Sequence, residues 1–90
     1  MIVPGDKRWF IDGGRAGYVR YTDGDLRAEM DFEMLMGDSA MAIYGENCRW
    51  TAPEPRKMTR DEVRHLVREL ARSLGAPIDV TFPGSVETIG

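Results

Sequence analysis

The 90-residue chain has a single cysteine, Cys48, and a single histidine, His65. One thiol cannot close an intrachain disulfide, and one Cys with one His leaves a zinc site short of ligands, so neither staple is expected. Nothing in the spacing brings Cys48 and His65 together as nucleophile and base, and Cys48 reads as a small buried hydrophobe. No segment approaches the roughly 18 apolar residues that span a bilayer. Met1 to Arg8 has no apolar run of signal length, because Asp6, Lys7 and Arg8 interrupt it. A lone thiol without these features predicts a cytoplasmic protein with no membrane, metal or cofactor. The glycines of Gly13-Gly14-Arg15-Ala16-Gly17 lack the lysine of a phosphate-binding loop and lead into a strand, so they read as a hairpin turn.

What the chain does have is a strand pattern followed by one amphipathic helix. Arg8 to Asp12 and Tyr18 to Thr22 carry strand-forming residues around the Gly-rich turn, with Val19 and Tyr21 on one face. Asp23-Gly24 is a two-residue hairpin signal. From Leu26 to Met34 every even position is apolar and every odd one charged, a period of two held over the whole strand. Short strands are predicted at Met41–Tyr44 and at Cys48–Thr51. Pro53 and Pro55 then make the stretch to Lys57 a connector, since each removes a backbone donor.

Thr59 and Glu62 fit a capping box, and Val63, Leu66, Val67, Leu70, Ala71 and Leu74 paint one apolar stripe. Gly75 and Pro77 stop the helix, and Ile78, Val80 and Phe82 alternate along a last strand. The expected architecture is α+β: an antiparallel meander sheet of five to six strands with one helix packed on a face. Residues 1–90 form a single domain, with 1–7 and 84–90 as loose ends. A core this small favours support from an oligomer.

Two charged features stand out as candidate partner-binding residues. Glu29, Asp31 and Glu33 put three carboxylates on one strand face, roughly 6.5 to 7 Å apart in succession. That spacing overlaps the separation in inverting glycosidases, but an open sheet face offers no cleft to raise a carboxyl pKa, so no catalytic residue is assigned. A weak divalent-metal seat and a solvated face are the plainer alternatives. On the helix, Arg60, Arg64, Arg68 and Arg72 recur at i+4, with Arg64 and Arg68 at the centre of the ridge. Six acids stand against Arg27 alone between Asp23 and Asp38, while Arg56 to Leu74 holds six bases against three acids. A molecule with two faces of opposite charge suits steering toward a charged protein partner, or pairing with its own copies. The net charge of −3 argues against general nucleic-acid affinity. A nucleic-acid or anion-binding regulator using the Arg ridge is the alternative.

The order of these elements resembles a family of bacterial immunity proteins of polymorphic toxin systems, immunity protein 74. The resemblance runs from Gly17 to Phe82. It is carried by Gly17-Tyr18-Val19-Arg20-Tyr21, the alternating strand ending near Glu33, Tyr44, Trp50 with Pro53, the Thr59-led helix and Ile78-Asp79-Val80-Thr81-Phe82. Ile2 to Asp12 lies outside it. The resemblance implies a non-enzymatic toxin inhibitor that binds and neutralises a cognate toxin in the producing cell.

Overall fold

The computed structural model describes residues 1–90. Eight strands and one helix follow in order: β1 (Trp9–Gly13), β2 (Ala16–Asp23), β3 (Leu26–Met34), β4 (Met41–Tyr44), β5 (Arg49–Ala52), β6 (Arg56–Lys57), α1 (Arg60–Leu74), β7 (Ile78–Phe82) and β8 (Ser85–Ile89). The fold is α+β, with a mostly antiparallel open sheet. Six strands lie along the main path β1-β2-β3-β4-β7-β8, while β5 and β6 branch from it by pairing β5 with β3.

The sheet departs from a pure meander at one place. β4 and β7 are parallel, with Ile43 opposite Val80. A parallel pair needs a long crossover, and here it consists of β5, β6 and α1. β3 is the strand on which this branching turns: its end at Phe32–Met34 pairs with β4 and its beginning at Arg27–Glu29 pairs with β5. Between the two partners the chain makes a 3-10 turn at Gly45–Asn47. Gly45 has no room for a side chain, since an added Cβ would sit 2.7 Å from the Phe82 ring.

Period-two alternation sorts the two faces of the sheet. Val19, Tyr21, Ala28, Met30, Phe32, Ile43 and Val80 point into one core cluster with Val63, Leu66, Val67, Leu70 and Ala71 of α1. Cys48 is fully buried there, and burial, with the nearby Asp31 charge adding to it, pushes its thiol up to about 12. The helix starts where its cap dictates. The Glu62 N–H donates to Thr59 Oγ1 at 3.2 Å and the Thr59 N–H donates to Glu62 Oε1 at 2.9 Å, while Gly75 closes the other end at φ 70°.

Both chain ends differ from the loose segments expected. Val3 is buried, its N–H donates to the Trp9 carbonyl, and Ile2 bridges Phe10. Asp6 fastens this segment to the helix: it accepts from Arg8 at 2.7 and 2.9 Å and from Ser73 Oγ at 2.6 Å. Those bonds hold its carboxyl well below the usual range. At the other end, Pro83-Gly84 is a two-residue turn with Gly84 at φ 77°, and Ser85–Ile89 returns along β7 with Ile89 buried. The β-branched residues Val86, Thr88 and Ile89 after a Pro-Gly turn carried that strand signal. The connector is also more ordered than predicted, because Arg56 and Lys57 pair with Trp50 and Arg49.

Glu62 does more than cap the helix. Trp50 Nε1 donates to it at 3.1 Å and Arg56 donates twice, at 2.8 and 2.7 Å. Chiefly the Arg56 bonds, then the Thr59 N–H, bring its carboxyl from an ordinary 4.5 down to about 2. A depressed carboxyl contributes stability that is present above pH 4.5 and is lost as pH falls through about 2. Glu62→Gln should therefore be less stable than wild type at neutral pH, and the gap should close between those two values. Urea midpoints across that range check it, and a gap independent of pH would refute it. Leu70→Ala, at a fully buried site, should cost about 2 to 5 kcal/mol. Thermal unfolding unchanged by that substitution would mean that the stripe is not core.

Candidate protein-binding face

α1 covers one face of the sheet and leaves the other open. The odd positions of β3 stand on this open face, so Arg27, Glu29, Asp31 and Glu33 share it as the alternation predicts. The cross-strand register then sets their neighbours. Arg20 of β2 lies opposite Glu29, Tyr18 lies opposite Asp31, and Arg49 of β5 lies opposite Glu29 from the other side.

This register turns an acidic strand into a mixed ionic array. Arg49 Nη2 donates to Glu29 Oε1 at 2.5 Å, Arg20 Nε stands 3.5 Å from Glu29 Oε2, and Arg20 also meets Asp12 at 3.2 Å. Arg49 Nη1 is 3.5 Å from Asp31 Oδ1, an atom that is buried and receives no hydrogen bond. Burial pushes the Arg49 guanidinium down, but its bond to Glu29 and the charges of Glu29 and Asp31 together outweigh that and raise it. The same guanidinium lies 5.8 Å from the Tyr18 ring centroid. Glu33 has no cation beside it. It accepts a bond from the Tyr44 hydroxyl at 2.5 Å, and that bond, more than the charge of Glu33, raises the phenol.

Over β2 and β3, beside the end of β4 and the 3-10 turn, the open face has a shallow depression lined by Gly17, Tyr18, Asp31, Phe32, Tyr44 and Asn47. Tyr18 and Tyr44 flank it and are 41% and 37% exposed, so each offers an aromatic surface to solvent. At the end of β3, Met34, Leu35 and Met36 are also exposed, Met36 almost completely. Glu29, Asp31 and Glu33 do not converge with any His or Cys into a group that could hold a metal ion.

The predicted helix residues are elsewhere. Arg64 and Arg68 lie on α1, on the opposite side of the sheet from the three carboxylates, so the five candidate residues form two sites. Arg64 is engaged: it donates to Glu87 at 2.8 and 2.7 Å and to Asp61 at 3.1 Å. These bonds, chiefly that to Glu87, raise Arg64 and lower Glu87. Arg68 is exposed and makes no ion pair. Arg20, Arg49, Tyr18 and Tyr44, which shape the open face, were not singled out as binding residues by the sequence. The even positions of β2 hold part of the signal, but only the pairing register shows which acids they meet.

Comparisons with known proteins find no match: no family model fits the chain, and no curated protein or solved structure is similar to it. The resemblance to immunity proteins rests on the sequence motifs alone. No helix is long and apolar enough to cross a membrane.

The unequal pairing of the three carboxylates has a measurable consequence. Glu29→Lys places a third cation against Arg20 and Arg49 and should cost about 1 to 2 kcal/mol, whereas Glu33→Lys should change stability by less than about 0.5 kcal/mol. Equal urea midpoints for the two variants would show that the ion pairs around Glu29 contribute nothing.

Proposed function

We propose that this chain is a non-enzymatic protein-binding domain whose open sheet face, with two exposed tyrosines set among paired charges and the uncompensated Glu33, receives a partner protein. The observation that carries this reading is the pairing of two exposed tyrosines with carboxylates held in place on a rigid strand. Tyrosine gives a large contact area at low cost in side-chain entropy, and fixed charges steer encounter and set register. Because Glu29 and Asp31 are already oriented by Arg49, little further ordering is needed when a partner docks.

Among protein-binding roles, an immunity protein that neutralises a cognate toxin agrees best with the sequence motifs and with this face. Such a role needs fast, selective association and no catalytic group. The natural test is co-expression with a toxin domain encoded beside this chain, comparing wild type with Glu33→Lys and Tyr44→Ala. Both variants should fold normally, lose protection and associate more slowly, with the charge variant also altering the salt dependence of association. Full protection by a Glu33→Lys, Tyr44→Ala double variant with normal thermal unfolding would remove this face from the reading.

A further inference from the structure

The two ends of the main strand path are not alike. Along β1 the edge is covered by Met1–Val3: the Ile11 N–H donates to the Met1 carbonyl at 2.8 Å and the Val3 N–H to the Trp9 carbonyl at 3.1 Å. At the other end, β8 pairs with β7 alone. Phe82 and Ser85 pair across the Pro83-Gly84 turn, so ladder alternation leaves the N–H and C=O groups of Val86 and Thr88 pointing away from β7. β8 lacks the outward charges and prolines that most directly blunt an edge. It has no lysine and no proline, and its one charge, Glu87, is neutralised by Arg64. Val86 is 63% exposed.

The helix brings cations to this hairpin. Arg64 reaches down to Glu87, Arg60 Nη2 donates to the Pro83 carbonyl at 3.4 Å with its guanidinium 5.0 Å from the Phe82 ring centroid, and Arg68, exposed and without an ion pair, follows Arg64 by one turn on the same helix ridge. A strand added to β8 would present every second side chain on the helix side, against these guanidiniums. Carboxylates there would be attracted and ammonium groups repelled. We propose that the β8 edge is a second docking surface, which takes an extended acidic segment of a partner protein by strand addition. Main-chain bonds to Val86 and Thr88 hold the segment, and its alternate carboxylates face Arg60 and Arg68. A second copy of this chain fits less well, because two-fold pairing of β8 with itself places both helices on the same side with their arginine rows facing.

The proposal does not depend on the tyrosine-flanked face, and the experiment separates the two. The probe is a capped peptide of about ten residues alternating Glu and Thr, long enough for one added strand. It is titrated into isotope-labelled protein beside a Lys-Thr counterpart and a Glu-Thr peptide N-methylated at alternate residues. The expected result is shifts and slowed hydrogen exchange at the Val86 and Thr88 amides, with the Lys-Thr peptide about tenfold weaker and the N-methylated one inactive. An Arg60→Glu, Arg68→Glu double variant that keeps the wild-type circular dichroism should reverse the charge preference. Glu33→Lys should bind the peptide as wild type does. Three outcomes would overturn the proposal. The first is no shift at Val86 and Thr88 up to about 1 mM peptide. The second is equal binding of the N-methylated peptide or of a single-stranded oligonucleotide, which would make the arginine row a plain anion site. The third is a peptide-free dimer in which those two amides are already protected.

Discussion

Strict alternation along β3 is the constraint on which the remaining structure depends. One set of its side chains, Ala28, Met30 and Phe32, is buried against the helix layer, and the other set stands on the open face. A slip of one residue in pairing would move every charge into the core and every apolar group into water, at a cost no other contact here offsets. The register with β2, β4 and β5 is thereby fixed around a single strand. Its partners inherit their own inward and outward faces from it.

The helix crossover answers a second constraint. A one-layer sheet with a single apolar face needs a cover, and α1 is the only helix available to supply it. Its position is set at both flanks by carboxylates. Glu62 ties the first turn to Trp50 and Arg56, and Asp6 ties the last turn to the N-terminal segment through Ser73. These polar links add direction to a hydrophobic contact that by itself has little. They also explain why the ends of so short a chain are built into the sheet rather than left free.

The surfaces left over differ in kind. The open face combines paired charges, two exposed tyrosines and a shallow depression between them, a pattern of side chains held on a sheet. The β8 edge offers backbone donors and acceptors beside arginines, which suits recognition of an extended segment. The two proposed docking surfaces thus lie on different parts of one 90-residue chain, the open sheet face and the β8 edge. Neither requires a reacting group, and the one thiol, Cys48, is buried in the core.

Much of the fold was legible in the residues themselves because it depends on local chemistry. The period of β3, the Thr59–Glu62 box and the Gly75 stop each act within a few residues and lie where their chemistry predicts, whereas the β2–β3 turn falls one residue later than expected, at Gly24-Asp25 between the paired Asp23 and Leu26. The β8 strand was missed: 84–90 was read as a loose end, although Pro83-Gly84 and the β-branched residues after it carry a strand signal that pairing with β7 realises. That Glu29, Asp31 and Glu33 share a face follows from sequence. That Arg20 and Arg49 neutralise two of them does not, because it rests on which strands lie beside β3 and in what register. Likewise the i+4 spacing of Arg60, Arg64 and Arg68 shows a ridge, but only packing decides that Arg60 and Arg64 meet the β7–β8 hairpin and not the acidic strand. Local periodicity determines which side of its own element a residue occupies, whereas the partner across the gap is set by burial and crossover, which involve residues far apart along the chain.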